Sequence, residues 1–348
     1  MMPDFDQWTW NESVADDCRQ IIRLAVREDI DRLYDWTTTL LVPATTRGAA
    51  QFVARRPGVV AGLQAVALAV DELQLDARFE PRVEDGQAVT AQQVIGRIHG
   101  SARDLLTSER ILLNLLGRLC GIATLTRQYV ERIQGTAARL YDTRKTTPGW
   151  RRLEKYAVHC GGGHNHRTGL FDAVLIKDNH LAVGQSAAAK SAAGERRFTP
   201  AEAVLQVRRL IQAHQLTRPS YAMPNATRPP SPAPAHLSGP DYARQAAQDQ
   251  LLPVEIEVDT WEQFQQVLPQ CPDIILLDNM SPDMLRRACE LRDRQSGEQP
   301  EWPRVELEAS GGITLDTIRS VADSGVDRIS CGALTHSAVN FDVGLDWD

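Results

Sequence analysis

DTRKTTPGWRRLEKYAVHCGGGHNHRTGLFDAVLIKDNHL, from Asp142 to Leu181, concentrates positive charge in an acidic chain. Seven Lys and Arg residues stand in it against four acids, although the chain of 348 residues carries a formal net charge of -7. Arg139-Leu140-Tyr141-Asp142 reads as a strand end, with Thr143, Arg144 and Lys145 after it. Trp150 to Val158 reads as a helix, and Arg151, Arg152 and Lys155 fit its solvated face. The run Gly161-Gly162-Gly163 precedes His166 and Arg167. Ala173-Val174-Leu175-Ile176 reads as a buried strand that Lys177 closes. Cations at strand ends and beside glycines are better placed to meet a ligand than to solvate a helix. That ligand should be anionic and compact, because Arg offers a planar fork for carboxylate or phosphate and Lys a point charge.

Outward from this stretch the rhythm is regular. From Arg139 onward, short apolar strands alternate with helical stretches. The strands lie near Leu140, Ala173 to Ile176, Val254 to Val258, Ile274 to Leu277, Val305 to Leu307 and Arg328 to Ser330. Such alternation indicates parallel β/α architecture. Nearly every strand ends in polar residues or glycine: Arg144, Lys177, Glu257 and Asp259, Asp278 and Asn279, Glu308 and Ser310, Gly332. Barrels and open α/β sheets both place chemistry at such ends, and periodicity does not choose between them.

The preceding part mixes its elements. Glu12 to Glu28 reads as an amphipathic helix with Ile21, Ile22, Leu24 and Ala25 on its apolar face. Strands are expected at Ala49 to Arg55, Phe79 to Val83 and Val94 to Ile98, a helix at Leu63 to Leu73, and turns at Gly58 to Gly62 and Glu84 to Gln87. This order suggests a small α+β domain. Ser108 to Leu116 is a strongly apolar helix from which Arg110 either snorkels or meets a ligand.

A hydrophobic content of 43% supports globular packing, and no apolar run is long enough to span a membrane. The acidic start, Met1 to Asp6, has no apolar segment behind it, so no secretory signal is expected. The six cysteines are scattered without CxxC pairs, which fits reduced thiols in a cytoplasmic protein. A pI near 5.7 argues against a nucleic-acid surface. Thr217 to Pro240, rich in proline, serine and alanine, reads as an exposed insertion, and Arg292 to Pro303 as a second, shorter polar one. The spacing of His159, Cys160, His164 and His166 is not that of a structural zinc site.

Two acids stand at neighbouring strand ends, Glu257 and Asp278. Such a pair suits acid/base work or a hard cation bridging phosphates. Glu255 shares the strand parity of Glu257, and the sequence does not separate them. Ser310-Gly311-Gly312-Ile313 and Ser330-Cys331-Gly332-Ala333 are tight turns whose amides suit a phosphate.

TRKTTPG, GGGHNHR and LIKDNH, in this order and spacing, closely resemble the quinolinate phosphoribosyltransferase family. The resemblance covers most of the chain. It includes Arg27-Glu28-Asp29-Ile30 and Trp36-Thr37-Thr38-Thr39, while Asp31 to Asp35 departs from the family's glycine-rich form. It implies an incomplete β/α barrel with a smaller amino-terminal α+β sandwich domain. With the change of rhythm, it divides the chain into residues 1–128 and a barrel domain, 129–348, which carries the insertion near 217–240 and a carboxy-terminal tail. It implies a pentosyltransferase reaction: quinolinate and phosphoribosyl pyrophosphate give nicotinate mononucleotide, pyrophosphate and carbon dioxide, a step of NAD biosynthesis.

By the same resemblance, Lys145, Lys177, Glu257 and Asp278 are catalytic, and Glu257 and Asp278 hold Mg2+ through water. Arg110, Thr143, Arg144, Lys145, His166, Arg167, Lys177, Glu257 and Asp278 bind the substrates. Ser310, Gly311, Gly312, Gly332 and His336 take the 5-phosphate. A homodimer with shared active sites is implied, Arg110 serving the neighbouring subunit, with higher assembly left open. Two alternatives stand: a related phosphoribosyltransferase-like protein associated with molybdenum transport, and a non-catalytic anion-sensing protein on the same scaffold.

Overall fold

The computed structural model describes residues 4–184, 198–218 and 251–348. The chain forms two compact units. One gathers Met1–Asp6, Ile133–Tyr141 and His166–Cys331; the other gathers Gln7–Arg132, Asp142–Asn165 and Gly332–Asp348. Each unit is discontinuous in sequence, unlike the single boundary placed at 128/129. In chain order the strands are β1 (Arg47–Ala54), β2 (Gly58–Val59), β3 (Ala77–Pro81), β4 (Ala88–Val89), β5 (Val94–Ser101), β6 (Arg139–Tyr141), β7 (Val174–Ile176), β8 (Val254–Val258), β9 (Ile274–Asp278), β10 (Glu306–Ser310), β11 (Arg328–Ser330) and β12 (Val343–Trp347).

The unit holding residues 7–132 is built on an antiparallel sheet of order β12-β1-β5-β3. Phe52 on β1 meets Phe79 on β3 edge to face, with ring centroids 5.5 Å apart. The helix Ala102–Arg132 runs alongside, and Leu105, Leu112, Leu116 and Leu119 make a buried stripe at helical spacing. The carboxy-terminal tail is a strand, not an appendage of the barrel. β12 pairs with β1 from Ala50↔Trp347 to Ala54↔Val343 and so belongs to this unit. Its approach runs past Gly121, where a Cβ would collide with the Val339 carbonyl. The expected turn at Gly58 to Gly62 contains the short strand β2, which pairs with β4.

The other unit is built on six parallel strands in the order β6-β11-β10-β9-β8-β7. From β7 to β11 each strand lies beside its successor, and β6, the first of the six, lies beside the last. A doubly wound sheet would instead reverse its order at a switch point. The run in one direction, closed by the first strand, is that of a β/α barrel left open between β6 and β7. Helices Pro200–His214, Trp261–Val267, Pro282–Glu298 and Ile318–Ala322 make the crossovers that parallel pairing requires.

The helix Pro282–Glu298 begins with Pro282 in its first turn and with Ser281 accepting from the Met284 N–H. It absorbs the first half of what reads in sequence as a polar insertion at Arg292 to Pro303. Arg292 is buried there: its Nη1 donates to Asp327 Oδ2 at 2.6 Å and to the Val305 carbonyl at 3.2 Å. Of the Pro-rich stretch Thr217 to Pro240, Thr217 forms an antiparallel bridge with Leu251, and the stretch from 219 onward lies outside the described residues. No helix among the described residues is long and apolar enough to cross a membrane.

Candidate active site

The carboxyl ends of the parallel strands carry a row of polar residues. Ile176 pairs with Ile256, which sets Lys177, just past β7, level with Glu257 on β8. Lys177 Nζ and Glu257 Oε2 form an ion pair. On the next strands Asp278 and Ser310 are register partners, and Asp278 accepts from Asn279 Nδ2 at 2.6 Å. The turn after β10 depends on glycine. Gly311 has φ 92° and Gly312 φ 60°. A Cβ at Gly311 would collide with the side chain of Asn279, whose N–H donates to the Ser310 carbonyl at 2.8 Å.

A second layer lies deeper, and it separates the two acids of equal parity. Glu257 is at the rim, whereas Glu255 is fully buried. His166 Nε2 lies 3.1 Å from Glu255 Oε2 and 3.4 Å from Glu308 Oε1. Arg328, also fully buried, donates to Glu308 Oε2 at 3.0 Å and Glu306 Oε2 at 2.9 Å, and covers the Tyr141 ring at 3.7 Å. Asp4 accepts from the Tyr141 hydroxyl at 2.8 Å and from Arg139 at 2.9 Å. Burial alone would make the His166 ring harder to protonate; the carboxylates of Glu255 and Glu308 outweigh it and raise the pKa. Burial works against ionised Glu308 too, yet the Arg328 guanidinium beside it helps hold its pKa below the usual carboxylate range.

Sequence reasoning did not assign roles to Glu306, Glu308, Arg328 or Asp4. A signal exists: Glu306 and Glu308 alternate along β10 as Glu255 and Glu257 do along β8, and acids two apart in a parallel strand share one face. His166 was expected to bind substrate. Both of its ring nitrogens face protein groups, because Nδ1 accepts from the Arg167 N–H at 2.8 Å. Arg167 is itself buried, with Nη1 3.4 Å from the Ala173 carbonyl.

The remaining expected residues lie in the other unit. Asp142 is fully buried and holds Lys155 Nζ at 2.5 Å and Asn165 Nδ2 at 2.7 Å. Asn165 in turn accepts from the Trp8 N–H at 2.6 Å. Lys155 is therefore not on a solvated face, contrary to the helix reading: its ammonium pays for burial by neutralising Asp142. Past this anchor, Thr143 and Arg144 are half-buried and Lys145 is exposed. The Lys145 carbonyl accepts from Thr335 Oγ1 at 2.7 Å, and a Cβ at Gly332 would meet Lys145 Cδ at 2.9 Å and His336 Nε2 at 3.2 Å. Glycine at 332 thus lets the Lys145 stem pass beside His336. Arg144 Nε is buried with no hydrogen-bond partner among the described residues. Arg110 is exposed on the helix Ala102–Arg132, and no hydrogen bond or ion pair holds it among the described residues.

Comparison with known proteins gives a consistent result. The family model for the quinolinate phosphoribosyl transferase C-terminal domain matches residues 122–217 and 240–346, and that for the N-terminal domain matches residues 35–120. The first match steps over most of the Pro-rich stretch. The chain is 38% identical over 333 residues to the nicotinate-nucleotide pyrophosphorylase (carboxylating) of Mycobacterium leprae, spanning 95% of this chain and 97% of that protein. It is 37% identical over 306 residues to a probable enzyme of the same name from Synechocystis, spanning 88% and 84%. Among solved structures, the nicotinate-nucleotide pyrophosphorylase of Francisella tularensis aligns with a TM-score of 0.76 and 28% identity, over 99% of this chain and 100% of that one.

Proposed function

Because the chain belongs to the quinolinate phosphoribosyltransferase family, we propose that it transfers the phosphoribosyl group of phosphoribosyl pyrophosphate to quinolinate. Carbon dioxide and pyrophosphate leave, and nicotinate mononucleotide remains. The observation that carries this reading is the row Lys177, Glu257, Asp278 and Ser310 at the carboxyl ends of β7 to β10. It sets a cation, two acids and a glycine turn side by side, which is what a sugar phosphate with a leaving pyrophosphate requires.

Quinolinate presents two adjacent carboxylates. Arg144 and Arg167 are the forks that take them, with Lys177 as a further charge. The unpartnered buried Nε of Arg144 supports this, since an unsatisfied buried donor is costly without a ligand. Thr143 precedes this fork, and its Oγ1 accepts from the Lys145 N–H at 3.0 Å. Lys145 and Lys177 offset the charge of the departing pyrophosphate. The amides of the Ser310 to Gly312 turn, with Gly332 and His336, take the 5-phosphate. Glu257 and Asp278 are half-buried carboxylates on adjacent strands, a hard-oxygen pair that fits Mg2+. When bound, the ion would add positive charge against the pyrophosphate. The acids also stabilise the cationic ribose centre as the pyrophosphate leaves. The pyridine nitrogen attacks that centre. The ring nitrogen, now cationic, stabilises the electron pair left on the neighbouring carbon when its carboxylate departs, and a proton replaces it.

The reading extends to a homodimer in which Arg110 of the partner subunit completes each site; Arg110, exposed and without an ion pair among the described residues, supports it. The six cysteines are free, which supports a cytoplasmic location. The test is mass-spectrometric detection of nicotinate mononucleotide from purified protein, quinolinate and phosphoribosyl pyrophosphate. Assembly is tested separately, by mixing Arg110→Ala and Lys177→Ala chains. Hybrid dimers regain activity if sites are shared, and stay inactive if Arg110 serves its own subunit.

A further inference from the structure

His166 is engaged on both sides of its ring. Nδ1 accepts from the backbone N–H of Arg167 at 2.8 Å, and Nε2 faces Glu255 at 3.1 Å and Glu308 at 3.4 Å. All three side chains are buried. The ring of Phe5 packs against the imidazole with centroids 4.6 Å apart. Glu308 is fixed independently, because Arg328 holds its other oxygen at 3.0 Å.

Three occupants of this cluster can be weighed. His166, Glu255 and Glu308 have ligand atoms within 4.8 Å of one another, close enough for a metal ion. A metal on Nε2 would leave the ring proton on Nδ1, pointing at the Arg167 N–H, so two donors would face each other. A doubly protonated ring meets the same obstacle. The carboxylates raise the ring's pKa and so favour that form, but its second proton would fall on Nδ1 against the Arg167 N–H at 2.8 Å, and this contact decides for the neutral ring. The neutral ring with its proton on Nε2 suits both sides: Nδ1 accepts from Arg167, and the Nε2 proton lies on the side of the carboxylates, which Nε2 approaches at 3.1 and 3.4 Å without an aligned hydrogen bond.

We infer that Glu255 and Glu308 are positioning residues for the quinolinate clamp, holding the His166 ring so that it fixes the backbone of Arg167. The inference rests on the reading that Arg167 binds quinolinate. The chain of contacts runs from Arg328 on β11, through Glu308 on β10, to His166 and then to the Arg167 N–H. It matters because Arg167 follows the glycine run Gly161 to Gly163, which by itself imposes little conformation. A clamp misplaced by about 1 Å can lose a hundredfold in rate.

The kinetic test uses Glu255, which has no Arg328 bond to lose. Glu255→Ala is expected to raise KM for quinolinate by about tenfold or more and to leave KM for phosphoribosyl pyrophosphate within about twofold. Glu255→Gln, whose amide oxygen can still face Nε2–H, is expected to recover most of that loss. An equal rise in both constants, or a rise in neither, overturns the inference. The second test needs no turnover. Nitrogen-15 spectra of histidine-labelled wild-type protein should show the His166 ring neutral, protonated on Nε2 and bare on Nδ1. A ring protonated on Nδ1, alone or together with Nε2, overturns the inference. If the wild-type protein makes no nicotinate mononucleotide, the functional reading fails instead, and the ring tautomer alone decides whether His166 bridges the acids to Arg167.

Discussion

Lys177 and Glu257 form an ion pair across the carboxyl ends of β7 and β8. The Lys177 side chain is 40% exposed. At that exposure the pair contributes less than about 1 kcal/mol to stability, since solvent screens it and ordering the lysine costs entropy. Lys177→Ala and Glu257→Ala should therefore leave the melting temperature nearly unchanged while kcat/KM falls by about a hundredfold or more. Calorimetry beside steady-state kinetics checks this; a large drop in Tm with retained activity would make the pair structural.

The Asp142–Lys155 pair should behave in the opposite way. Both side chains are 0% exposed, and Asp142 also holds Asn165. Breaking one partner leaves a buried charge uncompensated, so Lys155→Met should cost about 3–5 kcal/mol. Urea unfolding measures it. A cost below about 1 kcal/mol is the value of a surface pair and would contradict the burial.

Gly311 and Gly312 allow a paired comparison. Both have positive φ, but only at Gly311 would a Cβ meet another side chain, that of Asn279. Gly312→Ala should cost about 1–2 kcal/mol from backbone strain alone. Gly311→Ala should cost about 3 kcal/mol or more, because overpacking adds to the strain. It should also raise KM for phosphoribosyl pyrophosphate, as the turn that takes the 5-phosphate is displaced. Equal costs for the two would refute the role given to Asn279.

Asp327 links stability to pH. Burial would raise its pKa, but the Leu307 N–H at 2.8 Å, Arg292 at 2.6 Å and Arg304 at 2.8 Å outweigh that and hold it below the usual carboxylate range. A depressed folded pKa contributes stability that is present above the unfolded value, about 3.9, and lost as pH falls through the folded one. Asp327→Asn should therefore be less stable than the wild type at neutral pH, and the gap should narrow below about pH 4. Denaturant midpoints at several pH values check it. A gap independent of pH would mean that the charge of Asp327 is not what stabilises.

How much of this is legible in the sequence follows from the range of each interaction. Lys177 is legible because the apolar run before it must be buried, and the first charge after it falls at the rim. The parallel strands are legible for the same reason, and their ends fall within a residue or two of the expected ones, except that β10 runs on to Ser310, three residues past Leu307. Glu255 and Glu257 are not separable, since parity gives a face but not a depth; depth comes from register with β7 and β9. Lys155 and Arg292 look solvated because a helix pattern does not display Asp142 or Asp327, which arrive from other elements. The support beneath His166 is invisible for that reason too: its partners lie on β8 and β10. The tail strand β12 is missed because its partner β1 lies at the far end of the chain.

The most direct measurement follows one carbon. Quinolinate labelled with carbon-13 in the carboxylate next to the ring nitrogen is incubated with phosphoribosyl pyrophosphate, Mg2+ and the purified protein. The account predicts unlabelled nicotinate mononucleotide together with an equal amount of labelled carbon dioxide, and little product when nicotinate replaces quinolinate, because a clamp built for two carboxylates is left partly unpaired. Absence of nicotinate mononucleotide, or turnover of nicotinate equal to that of quinolinate, would contradict it.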